Sequence, residues 1–286
     1  MQHTKNPVLA RMEAEAKSNG GYAGFGTATT TLPAAAGAPP VAPGYDVPTG
    51  PPSAVPAAPG RAMALPDVIA KTFLMFAVML PIAVLAWVLN VPFGVFLIAM
   101  FAALGVGIWA SVKREPSPPL FLLYAALEGI VLGGISKVYN DWAISNGAEQ
   151  GIVGTAIVGT LIVFVLMLTL YSTRIIRVNG TFAKVFMIAL ISYLILSVGS
   201  LILGLFGVGN GMGIFGLGWV GIAFSMLAVA LASFSLVMDF AAIEQMIGAG
   251  VPERESWRAS FGLVVSLVWL YLELLRLLAL LSSANR

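Results

Sequence analysis

The sequence predicts an all-α membrane protein, a bundle of seven transmembrane helices behind a disordered N-terminal tail. Three observations predict it. Hydrophobic residues make up 59% of the chain and charged residues 10%, whereas a soluble domain carries about 25% charged residues. Apolar stretches of spanning length follow one another from about residue 65 onward, and one helical crossing needs about 20 such residues. Each interval between the stretches carries residues that break helices.

The candidate spans are 68–89, 93–112, 119–139, 151–172, 183–206, 214–239 and 259–281. Asn90-Val91-Pro92 separates the first two, and Pro116, Pro118 and Pro119 the second and third. Asn140–Gln150, Arg174–Gly180, Gly207–Gly213 and Gly248–Pro252 supply the other breaks. No stretch alternates with the period of two that a barrel strand requires. Residues 1–60 are rich in Ala, Pro, Gly and Thr and lack the apolar bulk to offset ordering entropy. The chain therefore divides into a cytoplasmic tail, 1–64, and a membrane domain, 65–286. Gly20–Gly26 reads as a flexible spacer or as a docking peptide.

Lys and Arg give the orientation. Lys113 and Arg114, then Arg174, Arg177 and Lys184, then Arg254 and Arg258 fall in alternate connections. The connections 90–92, 140–150 and 207–213 carry neither residue. The tail and the basic loops are expected in the cytoplasm. Lys137, near the outer end of the third span, is expected to snorkel to the interface. Gly129 with Gly133, Gly154 with Gly159, and Gly216, Gly218 and Gly221 mark close helix packing or a hinge.

Composition also excludes functions. The chain has no Cys and a single His, His3 in the tail. Thiolate, Fe–S and imidazole metal chemistry is therefore not expected in the folded part, nor any cofactor, nor an enzyme built on Cys or His. A retinal Schiff base needs a Lys in the last span, and 259–281 has none. The net charge of +2 points to no nucleic acid. A secondary transporter stays open, although no inverted repeat stands out.

Charges within the spans are costly and usually functional. Glu128 sits near the middle of span three, Asp239 at the end of span six, and Glu273 and Arg276 in span seven. Glu273 and Arg276 share a helix face at a spacing of three and read as a local bridge or as part of a working site. Buried carboxyls hold protons differently from exposed ones and can serve as a pH-sensitive latch. Counting depth along the spans favours Glu128 as the neighbour of Glu273.

Ala126–Gly129 in span three, Met238-Asp239-Phe240 with Glu244-Gln245, and Leu270–Leu278 around Glu273 occur together in this order. Over 65–286 this pattern resembles the Bax inhibitor family of seven-span proteins in its bacterial, actinobacterial branch, with the tail outside the resemblance. The resemblance implies a pH-sensitive calcium leak in the bacterial plasma membrane. It implies that Asp239 and Glu273 pair and share a proton, with Ca2+ near both and Arg276, Lys113 or Arg114 as latch partners. The expected partners are the lipid bilayer, protons, Ca2+ and another membrane protein. The alternative is a non-conducting regulator of a membrane protease or another stress-response partner.

Overall fold

The computed structural model describes residues 61–146, 151–176, 178–211, 213–216 and 218–284. Residues 1–60 of the expected tail, 1–64, and Arg177 lie outside the described residues, whereas Met63 is described and buried. Among the described residues, seven helices are long and apolar enough to cross a membrane. They are α1 (Leu65–Val88), α2 (Phe93–Val112), α3 (Pro118–Ser145), α4 (Val153–Ser172), α5 (Gly180–Leu205), α6 (Trp219–Gly248) and α7 (Ser256–Ala284). Short 3-10 turns at Val208–Gly211 and Gly213–Gly216 join α5 to α6, and Glu253–Glu255 leads into α7.

The ends of the helices follow local chemistry. Pro stands in the first turn of α1 and of α3, where its missing N–H costs nothing. The Asp67 carboxylate accepts from the Ala64 N–H at 2.9 Å. The Asn179 side chain accepts from the Phe182 N–H at 2.7 Å and caps α5. Asn140 Oδ1 accepts from the Ile152 N–H at 3.1 Å, closing the α3–α4 connection.

Two helices outrun the expected spans by six residues or more at one end. α3 continues past residue 139 to Ser145, and Lys137 pairs with Asp141 one turn on at 3.0 Å. α6 ends at Gly248 rather than at 239, because Glu244 is held at its last turns by Tyr171 and by Arg174 (3.1 Å). Asp239 thus lies inside a helix and not at its inner edge. At its other end α6 starts later than expected, since Gly213 and Gly218 take positive φ and the chain between them turns.

Helices α3, α6 and α7 form the centre. Half of the most apolar window of α3 and of α7 is buried, and 44% of that of α6, against 11–17% in the other four. α7 packs against α1, α3, α4 and α6. One side of it, with Val264 and Val268, joins Met75, Met79, Phe121 and Tyr124 in a core with α1, α2 and α3. Its other side, with Leu263 and Leu270, meets Leu236 and Phe240 of α6. The outward faces are apolar and exposed, as at Phe73 (75%), Ile98 (71%) and Ile195 (69%). Soluble monomers rarely leave so much apolar surface uncovered, whereas hydrocarbon chains cover it.

α1 and α3 approach closely through glycine. A Cβ on Gly129 would stand 2.6 Å from the Met79 carbonyl oxygen, and one on Gly133 would collide with that of Ala83. Gly129 and Gly133 therefore serve packing. Gly154 meets nothing within 4 Å and does not. Overpacking a core typically costs about 1–3 kcal/mol. Gly133→Val is expected to lower stability by at least that much and Gly154→Ala to leave it unchanged, as read by thermal unfolding in detergent.

Candidate functional site

The seam between α6 and α7 is antiparallel, and its register is visible in two contacts. Arg276 Nε donates to Ser225 Oγ at 3.2 Å, and Gly262 faces Asp239, whose Oδ1 is 3.3 Å from where a Cβ would stand. Both contacts count the same number of residues along each helix, about 14, which is roughly 21 Å of rise. Two buried serines mark the seam, Ser225 of α6 against Arg276 and Ser266 of α7 against Asp239. Polar groups thus run through an otherwise apolar core at two stations.

The outer station is built on Glu273 and Arg276. Glu273 is 5% exposed. Its Oε1 accepts from the Tyr193 hydroxyl of α5 at 2.7 Å and from Trp269 Nε1, one turn back on α7, at 3.0 Å. Its Oε2 is ion-paired with Arg276. Arg276 Nη2 also donates to the Tyr193 hydroxyl at 3.0 Å, and the guanidinium lies 4.0 Å from the ring centroid of Phe215. The charges cancel, and the carboxylate is fully served by donors, which is what a buried ion pair requires. A cavity of about 320 Å³ opens beside Arg276 between Tyr139, Ser197 and Phe215.

The inner station is Asp239. Its Oδ2 is buried with no hydrogen-bond partner, and the Ser266 side chain across the seam is the polar group acting on it. Neither Glu273 nor Arg276 reaches this level. Glu273 lies 11 residues beyond Gly262 on α7, or about 16 Å. The expected Asp239–Glu273 pair is therefore not formed, and no oxygen cage for Ca2+ unites the two.

Glu128 is not part of the outer station. α3 and α7 run parallel: Tyr124 packs edge-on to Phe261 with ring centroids 4.8 Å apart, and Ser136 bonds Tyr271 at 2.7 Å. Glu273 is thus level with the turn after Ser136. Glu128, beside Tyr124, stands about 15 Å lower at 1.5 Å per residue. The depth count failed because α7 begins at Ser256, earlier than expected, and so carries Glu273 further outward. Lys113 and Arg114 are at the inner end, where their carbonyls accept from Arg258 at 2.7 and 3.5 Å. They are no partners of Glu273. Among the described residues, no three His, Asp or Glu side chains gather to hold a metal.

Sequence reasoning found Glu273 with Arg276 and missed Tyr193, Ser225 and Phe215. Trp269 carried a usable signal, since it precedes Glu273 by one helical turn on the same face. Removing one member of a buried pair costs about 3–5 kcal/mol. Arg276→Met and Glu273→Gln are each expected to lose at least about 3 kcal/mol in detergent unfolding. The double variant should recover part of that loss, because no unpaired charge then remains.

Among known proteins, no curated protein matches the chain. A family model described as Bax inhibitor 1 like matches residues 6–283. The match takes in nearly all of the segment that the sequence reading placed outside the resemblance.

Proposed function

From the premise that this multi-pass membrane protein belongs to the Bax inhibitor 1 like family, we propose that it is a non-enzymatic, proton-controlled leak pathway for cations such as Ca2+, regulated at Asp239. The observation that carries the reading is the carboxylate oxygen of Asp239, buried in the α6–α7 seam without a partner. A buried charge is costly unless it is paired, so a proton or a cation supplies what the protein does not. Changing the occupant changes the charge between two helices that pack along their whole length, and so biases their spacing.

Glu273 and Arg276 have a different part in this reading. They neutralise each other and fix the outer half of the seam to α5, leaving Asp239 as the group that responds to pH. The proposed setting is a bacterial plasma membrane with the tail in the cytoplasm. Supporting it, the inner ends of the helices carry Arg61, Lys71, Lys113, Arg114, Arg174, Lys184, Arg254 and Arg258 among the described residues, as a cytoplasmic face does.

Calcium flux into liposomes across a pH series tests the mechanism. Asp239→Asn is expected to conduct with its pH response abolished. Glu273→Gln with Arg276→Met is expected to keep that response at reduced stability. An unaltered pH response in Asp239→Asn would sink the assignment of Asp239, and no flux in any variant would favour a non-conducting regulator. The orientation has its own check, since the chain has no native Cys. A cysteine at Arg254 should react with an impermeant thiol reagent only from the cytoplasmic side, and one at Val208 only from outside.

A further inference from the structure

A second cavity, of about 330 Å³, opens at the inner end of the bundle, inward of the level of Asp239 and far from the outer pair. Lys71 of α1, Pro116 and Pro118 before and at the start of α3, and Glu253, Arg254 and Trp257 around the start of α7 line it. Its wall is rigid. Trp257 stacks on Phe121, with centroids 6.2 Å apart and planes 11° from parallel. Lys71 Nζ lies 5.5 Å over the Trp257 ring and is fixed by hydrogen bonds to the Glu253 carbonyl (3.2 Å) and to Ser256 Oγ.

The charges leave an excess cation. Glu253 is shared between Lys71 Nζ and Arg61 Nε, each at 3.5 Å, and Arg61 also pairs with Asp67. The Arg254 side chain has no hydrogen bond or ion pair among the described residues and is exposed at the cavity. Three cations thus face two carboxylates, and the unengaged one is a guanidinium, whose planar fork matches two oxygens of a phosphate.

The surroundings choose between a dissolved phosphate and one carried by a lipid. The last turn of α2, just before Pro116, exposes Trp109 (60%) and Val112 (77%), and Lys113 lies over the Trp109 ring at 5.9 Å. An apolar, Trp-bearing helix end beside a basic pocket is the setting of an anionic headgroup at the membrane surface. We infer that the cavity between α1, the α2–α3 connection and the start of α7 binds the phosphate of an anionic phospholipid. Arg254 clasps the phosphate, Lys71 adds its charge, and the acyl chains lie along the exposed end of α2. This inference does not depend on conduction or on Asp239.

The test is thermal unfolding of the full chain in neutral detergent, titrated separately with phosphatidylglycerol, phosphatidylcholine and inorganic phosphate. Phosphatidylglycerol is expected to raise the unfolding midpoint saturably, and the other two are not. Arg254→Gln should weaken the apparent affinity at least about fivefold, the effect of about one basic side chain at a membrane surface. Lys184→Gln, an exposed cation at the same end of the bundle, should leave it unchanged. Equal response to phosphatidylcholine, an equal loss in Lys184→Gln, or no loss in Arg254→Gln would each overturn the site. A shift by inorganic phosphate matching that of the lipid would overturn the lipid as its occupant.

Discussion

The outer half of the bundle depends on one largely buried ion pair. Glu273 and Arg276 sit on the central helix, and the protein dissolves them with its own side chains instead of solvent. Tyr193 is the pivotal one, because its hydroxyl donates to the carboxylate and accepts from the guanidinium. It also explains how α5 is held. That helix packs chiefly on the 3-10 turns and on α6, with most of its surface toward lipid. Its polar tie to α7 runs through Tyr193. The Phe215 ring under Arg276 brings the α5–α6 connection to the same point.

The seam that carries this pair is asymmetric along its length. At the outer station the carboxylate and the guanidinium are both partnered and their charges cancel. At the inner station a carboxylate faces a glycine and a serine, with one oxygen unserved. Small side chains there keep the helices close enough to exclude water. A fixed station therefore acts as the anchor and an under-served one as the place where the occupant decides the energy.

Much of this was legible in the sequence, for physical reasons that also mark the limits. Apolar length and breakers are local properties, so each of the seven helices was found near its true place. The Glu273–Arg276 bridge was legible because a spacing of three on one helix fixes proximity. The ends of α3 and α6 were not. Polar residues such as Asp141 and Glu244 look like loop residues in isolation and remain helical because Lys137, Tyr171 and Arg174 meet them. The small offsets at helix ends then spoiled every comparison of depth between helices. That is why Glu273 looked like a neighbour of Glu128 and of Asp239 and is not. The helix set was nonetheless recognisable: the spans that carry acids are the three most buried ones.

The position of α7 has a consequence for biosynthesis. The helix around which α1, α3, α4 and α6 pack leaves the ribosome after all of them. Until it inserts, the seam face of α6, with Asp239 and Ser225, has no helix opposite it, and the core of α1 and α3 lacks Val264 and Val268. The six earlier helices must therefore wait in the bilayer, or in the insertion machinery, as an incomplete ring. Completion also joins distant parts of the chain: the Met63 N–H donates to the Val251 carbonyl at 2.8 Å, and the Glu253 N–H to that of Arg61 at 2.8 Å. The segment entering the first helix is thus fastened only when the last one arrives, so assembly is closed by its final step.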